Sequence, residues 1–167
     1  MTARIASGKK VEPRPIRTRD GIEQPVRVSD DLDIPKAYLD DVRKGMTAVV
    51  NSSRGTGRGS RIAMAEWKMA GKSGTSQVRN ISKAERARGV IRNDQLPWDQ
   101  RDHALFVAFA PVHDPQIAVA VMVENGESGS GVAAPVAKQV MDAWLLNEEG
   151  VLKPEFAPPR TAEGKKP

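Results

Sequence analysis

The chain of 167 residues carries 26 Lys and Arg against 21 Asp and Glu, a net charge of +5, with an isoelectric point near 9.7. With 39% hydrophobic and 28% charged residues it has a globular composition, and its length fits one domain. The lack of cysteine excludes a disulfide scaffold, a thiolate metal site and a thiol nucleophile. No apolar run reaches the roughly 18 residues of a membrane span, and Met1–Gly8 shows no signal peptide or anchor.

In chain order, residues 1–33 read mostly as loop. Thr2 to Ser7 can form one or two helical turns that Gly8 stops. Pro13, Pro15, Gly21 and Pro25 then punctuate a charged stretch with room for one short strand. A helix is predicted next, with Asp33 placed to cap it and Pro35 in its first turn, where a missing N–H does no harm. Tyr38, Val42, Met46, Val49 and Val50 recur at helical spacing as its apolar stripe. Gly55, Gly57 and Gly59 mark the loop that ends it. Lys68–Val78 reads as a strand. Residues 79–101 hold six basic and three acidic residues without apolar periodicity. They are expected to be a surface insertion with a short helix near Ser82–Arg88, anchored by Trp98.

Ala104–Ala110 and Ile117–Val123 are continuous apolar runs, the pattern of strands buried on both faces. Pro111–Pro115 between them is short enough for an antiparallel hairpin. A last helix is predicted over Val132–Leu146. Val132, Val136, Val140 and Trp144 step by four along it, with Ala133, Ala137, Met141 and Leu145 beside them, a broad stripe suited to a sheet. Residues 147–167, with four prolines, four acids and four bases, are expected to be a disordered tail.

Gly71-Lys72-Ser73 has the ending of a phosphate-binding loop. That loop needs a glycine where Glu66 stands and a helix directly afterwards, whereas Gln77-Val78 continues the strand. The same stretch spells Lys72-Ser73-Gly74-Thr75, the Lys-Ser/Thr-Gly box of serine acyl-transferases that recognise penicillin. Its chemistry suits a strand facing a cleft. Lys72 offers positive charge to a substrate carboxylate and to a proton network. Ser73 and Thr75, two residues apart, direct both hydroxyls to one face. Gly74 lets a substrate backbone lie against the strand, and the Thr75 backbone N–H is a candidate oxyanion donor.

The stretch Lys68–Val78, then Arg101–Pro111, then Val119–Gly126, in this order, closely resembles the C-terminal end of class B penicillin-binding proteins, best their elongation type. Met1–Lys10, the helix ending Val49-Val50-Asn51 and the loop Gly55-Thr56-Gly57 are also similar to that family. The resemblance spans residues 1–146, read as a partial transpeptidase domain, and leaves out the tail. Ser73 stands where the family more often has Thr.

What the resemblance implies is an α+β fold of the penicillin-binding transpeptidase and serine β-lactamase-like kind, with antiparallel strands packed against helices. The strands at 68–78, 104–110 and 117–123 would be its third, fourth and fifth, and 132–146 its last helix. It also implies D,D-transpeptidation in cell-wall synthesis. A serine attacks the D-alanyl-D-alanine end of a peptidoglycan stem peptide, the acyl group passes to an amine of a neighbouring strand, and β-lactams acylate the same serine. Lys72, Ser73, Gly74 and Thr75 would bind the substrate, and no cofactor or metal is expected. A SEDS-type glycan polymerase would be a partner, and the family acts on the periplasmic side of the bacterial inner membrane.

Two of the family's three boxes are missing. No Ser-x-Asn occurs, and Ser7-Gly8-Lys9-Lys10 matches the nucleophile's Ser-x-x-Lys in spelling only, since it stands beside Gly8 at a helix end. The chain alone is therefore expected to be inactive without the N-terminal part of a transpeptidase. The alternative is a non-catalytic fragment of a split or truncated gene with at most a binding role. The family pairs its fifth strand with a first strand that this sequence does not contain. Ile117–Val123 is thus expected to leave an open apolar edge, with marginal stability and association as results. Nucleic acid is not an expected partner, because bases and acids are interspersed and only seven residues are aromatic. His103 and His113 neighbour Asp102 and Asp114, but the strand between holds the two pairs about 20 Å apart, too far to share a metal.

Overall fold

The computed structural model describes residues 1–25, 29–62 and 64–156. Along them run α1 (Thr2–Ser7), the short strands β1 (Thr18–Arg19) and β2 (Ile22–Glu23), α2 (Lys36–Asn51), β3 (Ala70–Ser76), α3 (Lys83–Arg88), β4 (His103–Ala110), β5 (Ile117–Val123) and α4 (Ala134–Leu145). A π-helical turn, Gly129–Ala133, leads into α4. β1 and β2 form a small hairpin. β3, β4 and β5 form an antiparallel sheet in that order, with Lys72 opposite Val107 and Val107 opposite Ala120. The architecture is the expected α+β class, and the two apolar runs make the predicted hairpin.

The register gives the sheet two faces. Gly71, Ser73 and Thr75 share one with Phe106, Ala108 and Val121, while Ala70 and Lys72 share the other with Val107 and Phe109. Ala137, Met141 and Leu145 of α4, together with Val50 and Trp67, join Phe106 in the larger core. Ala6 of α1 and Met46 of α2 pack with Phe109 in the smaller one. Helices thus cover both faces of β4, whose Phe106, Ala108, Phe109 and Ala110 are fully buried. β5 departs from the expectation. Ile117, Val119, Val121 and Val123 are half-buried, but Ala118, Ala120 and Met122 face solvent. The helices centre on β4 and leave the outer strand covered on one face. Among the described residues nothing pairs with the far edge of β5.

Each long helix buries only part of its predicted stripe. On α2 the buried line is Leu39, Met46 and Val50, and Tyr38 is 66% exposed. The turn carrying Arg43 faces α1, where its guanidinium donates to the Ile5 carbonyl (2.8 Å). Asp33 does not cap this helix, which starts after Pro35. It pairs instead with Lys10 (3.0 Å). On α4 the row Ala134, Ala137, Met141 and Leu145 is buried, and Val132, Val136 and Val140 are exposed. The small alanines let the helix approach the sheet closely, which the valine row would not.

Residues 79–101 are tied down by polar contacts. Ser82 caps α3 by accepting the Glu85 N–H (3.1 Å), and Arg79 grips Glu85 with both terminal nitrogens (2.7 and 2.5 Å). Arg101 pairs with Glu127 (2.8 Å), and Asn93 bonds both the side chain and the N–H of Asp102 (3.1 and 3.0 Å). Trp98 is 64% exposed and anchors nothing; its 3₁₀ turn directs the ring outward. Order also continues past the predicted tail boundary. Leu146 bridges Leu152, and Phe156 packs on Trp144. Residues 157–167 of that predicted tail lie outside the described residues.

The bonds from Arg79, opposed by burial and helped by the Ile91 N–H (3.3 Å), hold the Glu85 carboxyl below its ordinary 4.5, at about 2. A folded-state value below the unfolded one means that the pair's contribution is complete above pH 4.5 and is lost as pH falls from about 4.5 to about 2. Urea unfolding of the native chain and Glu85→Gln across that range should therefore give stabilities that converge at the acid end. A constant gap between them would contradict the assignment. In the same assay Phe106→Ala should cost about 3–5 kcal/mol, because it empties the centre of the larger core. In sedimentation, association that rises with concentration should weaken in Ala120→Lys/Met122→Lys, which charges the exposed face of the edge strand.

Candidate functional site

The segment before β3 is held on several sides. Trp67 and Met69 are buried, and the Lys68 carbonyl accepts the Val112 N–H (3.0 Å). The Asn51 side chain, at the end of α2, donates to the carbonyls of Thr47 and Met69 (2.9 Å each) and so fixes the helix end to the strand start. Ala70 and Gly71 follow as buried residues, and the strand then emerges. Lys72, Thr75 and Ser76 are exposed, and Ser73 and Gly74 are half-buried. The box Lys72-Ser73-Gly74-Thr75 therefore lies on the outer half of an edge strand.

The packing of Gly129 shows which backbone groups face the open edge. A Cβ on Gly129 would lie 2.4 Å from the carbonyl oxygens of both Gly74 and Leu105. One point that close to both oxygens requires them to meet between the strands, as in a hydrogen-bonded antiparallel pair. Gly74 thus spends its N–H and C=O on the ladder, and its neighbours Ser73 and Thr75 turn theirs outward. In agreement, the Ser73 carbonyl accepts the Lys72 ammonium (2.5 Å). Glycine at 129 is needed for this close approach. Glycine at 74 is not, because a Cβ there would meet only the Leu105 Cβ, at an ordinary 3.5 Å.

Side chains complete the arrangement. Ser73 and Thr75 lie opposite Phe106 and Ala104 on one face, and Lys72 and Gly74 lie on the other. The Ser73 hydroxyl is 3.4 Å from that of Thr56, which the loop after α2 brings alongside. The partner of Lys72 among the described residues is a backbone carbonyl and not a carboxylate, so its charge is available to an anion. Sequence reasoning missed Asn51, Thr56 and Gly129 as neighbours of the box. Their signal was the glycine spacing at 55 and 57 and at 126, 129 and 131, which marks loops able to approach a strand closely.

The remaining sequence candidates lie apart. The Ser7 hydroxyl donates to the Ala3 carbonyl (2.7 Å), and Lys10 pairs with Asp33, so Ser7 has no base beside it. His103 Nδ1 accepts the Asn125 N–H (2.9 Å), while His113 lines a cleft of about 620 Å³ against Lys36, Arg43 and Asn51 of α2. A second cleft, of about 480 Å³, lies between Arg79, Ile91, Arg92 and Asp102. Neither cleft is lined by the box.

Residues 1–142 match the family described as the penicillin binding protein transpeptidase domain. Curated relatives include the peptidoglycan D,D-transpeptidase MrdA of Haemophilus influenzae, 40% identical over 69% of this chain and 17% of that protein. MrdA of Acinetobacter baumannii is 44% identical over 65% of this chain and 15% of its own length. The chain thus spans less than a fifth of these relatives. Among solved structures, that of Pseudomonas aeruginosa PBP2 in complex with WCK 5153 is 47% identical, with a TM-score of 0.71 over 95% of this chain and 32% of its own. The complex between PBP2 and MreC from Helicobacter pylori matches with 26% identity and a TM-score of 0.60, covering 86% of this chain and 23% of that one. No helix among the described residues is long and apolar enough to cross a membrane. The fold, the edge-strand box and the match over 1–142 agree: the chain belongs to the penicillin-binding protein transpeptidase domain family, as part of a domain of the PBP2/MrdA type.

Proposed function

We propose that this chain supplies the substrate-binding strand of a peptidoglycan D,D-transpeptidase, with residues 1–146 as part of the transpeptidase domain and 79–101 as a surface insertion in it. The observation that carries the reading is the open edge of β3. Ser73 and Thr75 turn backbone groups outward there, Lys72 stands beside them with its ammonium on the Ser73 carbonyl, and Gly74 is a glycine that packing does not demand. A stem peptide ending in D-Ala-D-Ala, or a β-lactam in its place, adds along this edge as an extra strand. The Lys72 ammonium and the Ser73 hydroxyl hold its carboxylate. The bare face of Gly74 admits its backbone.

As the nucleophile attacks, negative charge builds on the former carbonyl oxygen, and the Thr75 N–H donates to it. Lys72 also joins the proton network. The serine and its base come from outside these residues, since no Ser-x-Asn occurs in this sequence and its one Ser-x-x-Lys, at Ser7, has no base beside it. The whole protein acts, in this reading, on the periplasmic side of the bacterial inner membrane beside a SEDS-type glycan polymerase. MreC, which the Helicobacter pylori relative binds, is a further candidate partner.

Labelling with a fluorescent penicillin tests both halves of the reading. The chain alone should give no boil-resistant band, and Ser7→Ala should change nothing; a band lost in that variant would overturn the rejection of Ser7. A chimera with residues 1–142 in place of the matching region of Pseudomonas aeruginosa PBP2 restores a nucleophile. In it Thr75→Pro, which removes an outward N–H and leaves the ladder intact, should slow acylation about 10²–10³-fold with an unchanged circular dichroism spectrum. Unaltered acylation in Thr75→Pro would remove Thr75 as oxyanion donor. Unaltered acylation in Lys72→Ala would likewise remove Lys72 from carboxylate recognition.

A further inference from the structure

Beyond residue 142, where the family match ends, the chain folds back over the end of α4. Asn147 closes the turn, its side-chain oxygen accepting the N–H groups of Glu149 and Val151 (3.1 and 2.9 Å). Leu152 then bridges Leu146, and the Lys153 N–H returns to the Leu145 carbonyl (3.0 Å). The Lys153 ammonium donates to the carbonyls of Ala143 and Trp144 (3.0 Å each), which the helix end would otherwise leave without partners. The result is to seat the ring of Phe156 4.2 Å from that of Trp144 and 5.3 Å from that of Trp67, the latter edge-on at 72°. The two indoles are 6.4 Å apart, so Phe156 touches both.

Trp67 is not a remote core residue. It is 8% exposed and stands five positions before Lys72, in the segment that leads into β3. β4 is held by strands on both sides, whereas β3 has ladder bonds on one side only. Its alignment therefore depends more on what holds its start. Asn51 and Val112 hold the backbone there, and the aromatic contact holds the side chain.

We infer that residues 146–156 form a clasp in which Phe156 is a positioning residue: by seating against Trp67 and Trp144 it ties the last helix to the start of β3 and keeps Lys72–Thr75 aligned on β4. This role is independent of what the strand binds.

Hydrogen exchange on the intact chain tests it. Phe156→Ala should raise exchange at Lys72 and Gly74, the box amides directed to β4, about tenfold. Amides in the β4–β5 ladder should be unchanged. Tryptophan emission should shift to the red as Trp67 and Trp144 gain water, and Phe156→Tyr should restore both readouts. An equal rise at every amide, or no rise at Lys72 and Gly74, would overturn the inference. If Phe156→Ala does not fold, Lys153→Met, which loosens the clasp and keeps the ring, must show the same selective pattern, and a uniform or absent effect there overturns it equally.

Discussion

The ring of Phe106 lies where a Cβ on Gly71 would be, with ring carbons 2.6 and 2.7 Å from that position. Any other residue at 71 would drive the ring away or push β3 off β4. The sheet, the seat of α4 and the alignment of the box all follow from this contact, because Phe106 stands opposite Ser73 and at the centre of the larger core. Interiors pack too densely to absorb a displaced phenyl ring locally. Two glycines three residues apart thus have opposite origins. The one at 71 answers to the core, and the one at 74 leaves a bare face that packing does not require.

Much of this was legible in the sequence. Apolar runs with a short connection identify an antiparallel hairpin without knowledge of its neighbours, because strand pairing and side-chain alternation are local rules. The box was legible as spelling and its hydroxyl alternation as geometry. What the sequence did not carry was how much of each helix's broad apolar stripe turns inward. α2 and α4 each have two adjacent rows of apolar residues, and the sheet, not the spacing, selects between them. On α4 it takes the alanine row because small side chains permit close approach. The outward direction of the Thr75 N–H was equally hidden. It is set by the pairing of Gly74 with Leu105, and a slip of one residue would reverse it.

The order beyond residue 146 was missed for a different reason. Composition there is that of a solvated tail, and the residue that seats it on the core is Phe156. A single aromatic gives no periodic signal, and its partners lie 12 and 89 positions earlier in the chain, at Trp144 and Trp67. Residues 79–101 show the opposite case. They have no apolar periodicity, yet Arg79 pairs with Glu85 and Arg101 with Glu127, and these contacts give the segment a fixed shape without an apolar core.

The two edges of the sheet make different demands on solubility. An edge open enough to receive a substrate backbone is chemically open to any other extended chain. On β3 the exposed Lys72 is a charge on an edge strand, the kind of residue that discourages one sheet from adding onto the next. Lys72 thus places a positive charge on this edge, which repels a second copy of it. β5 carries no charge between Ile117 and Val123, so its edge has no comparable protection and depends on being covered.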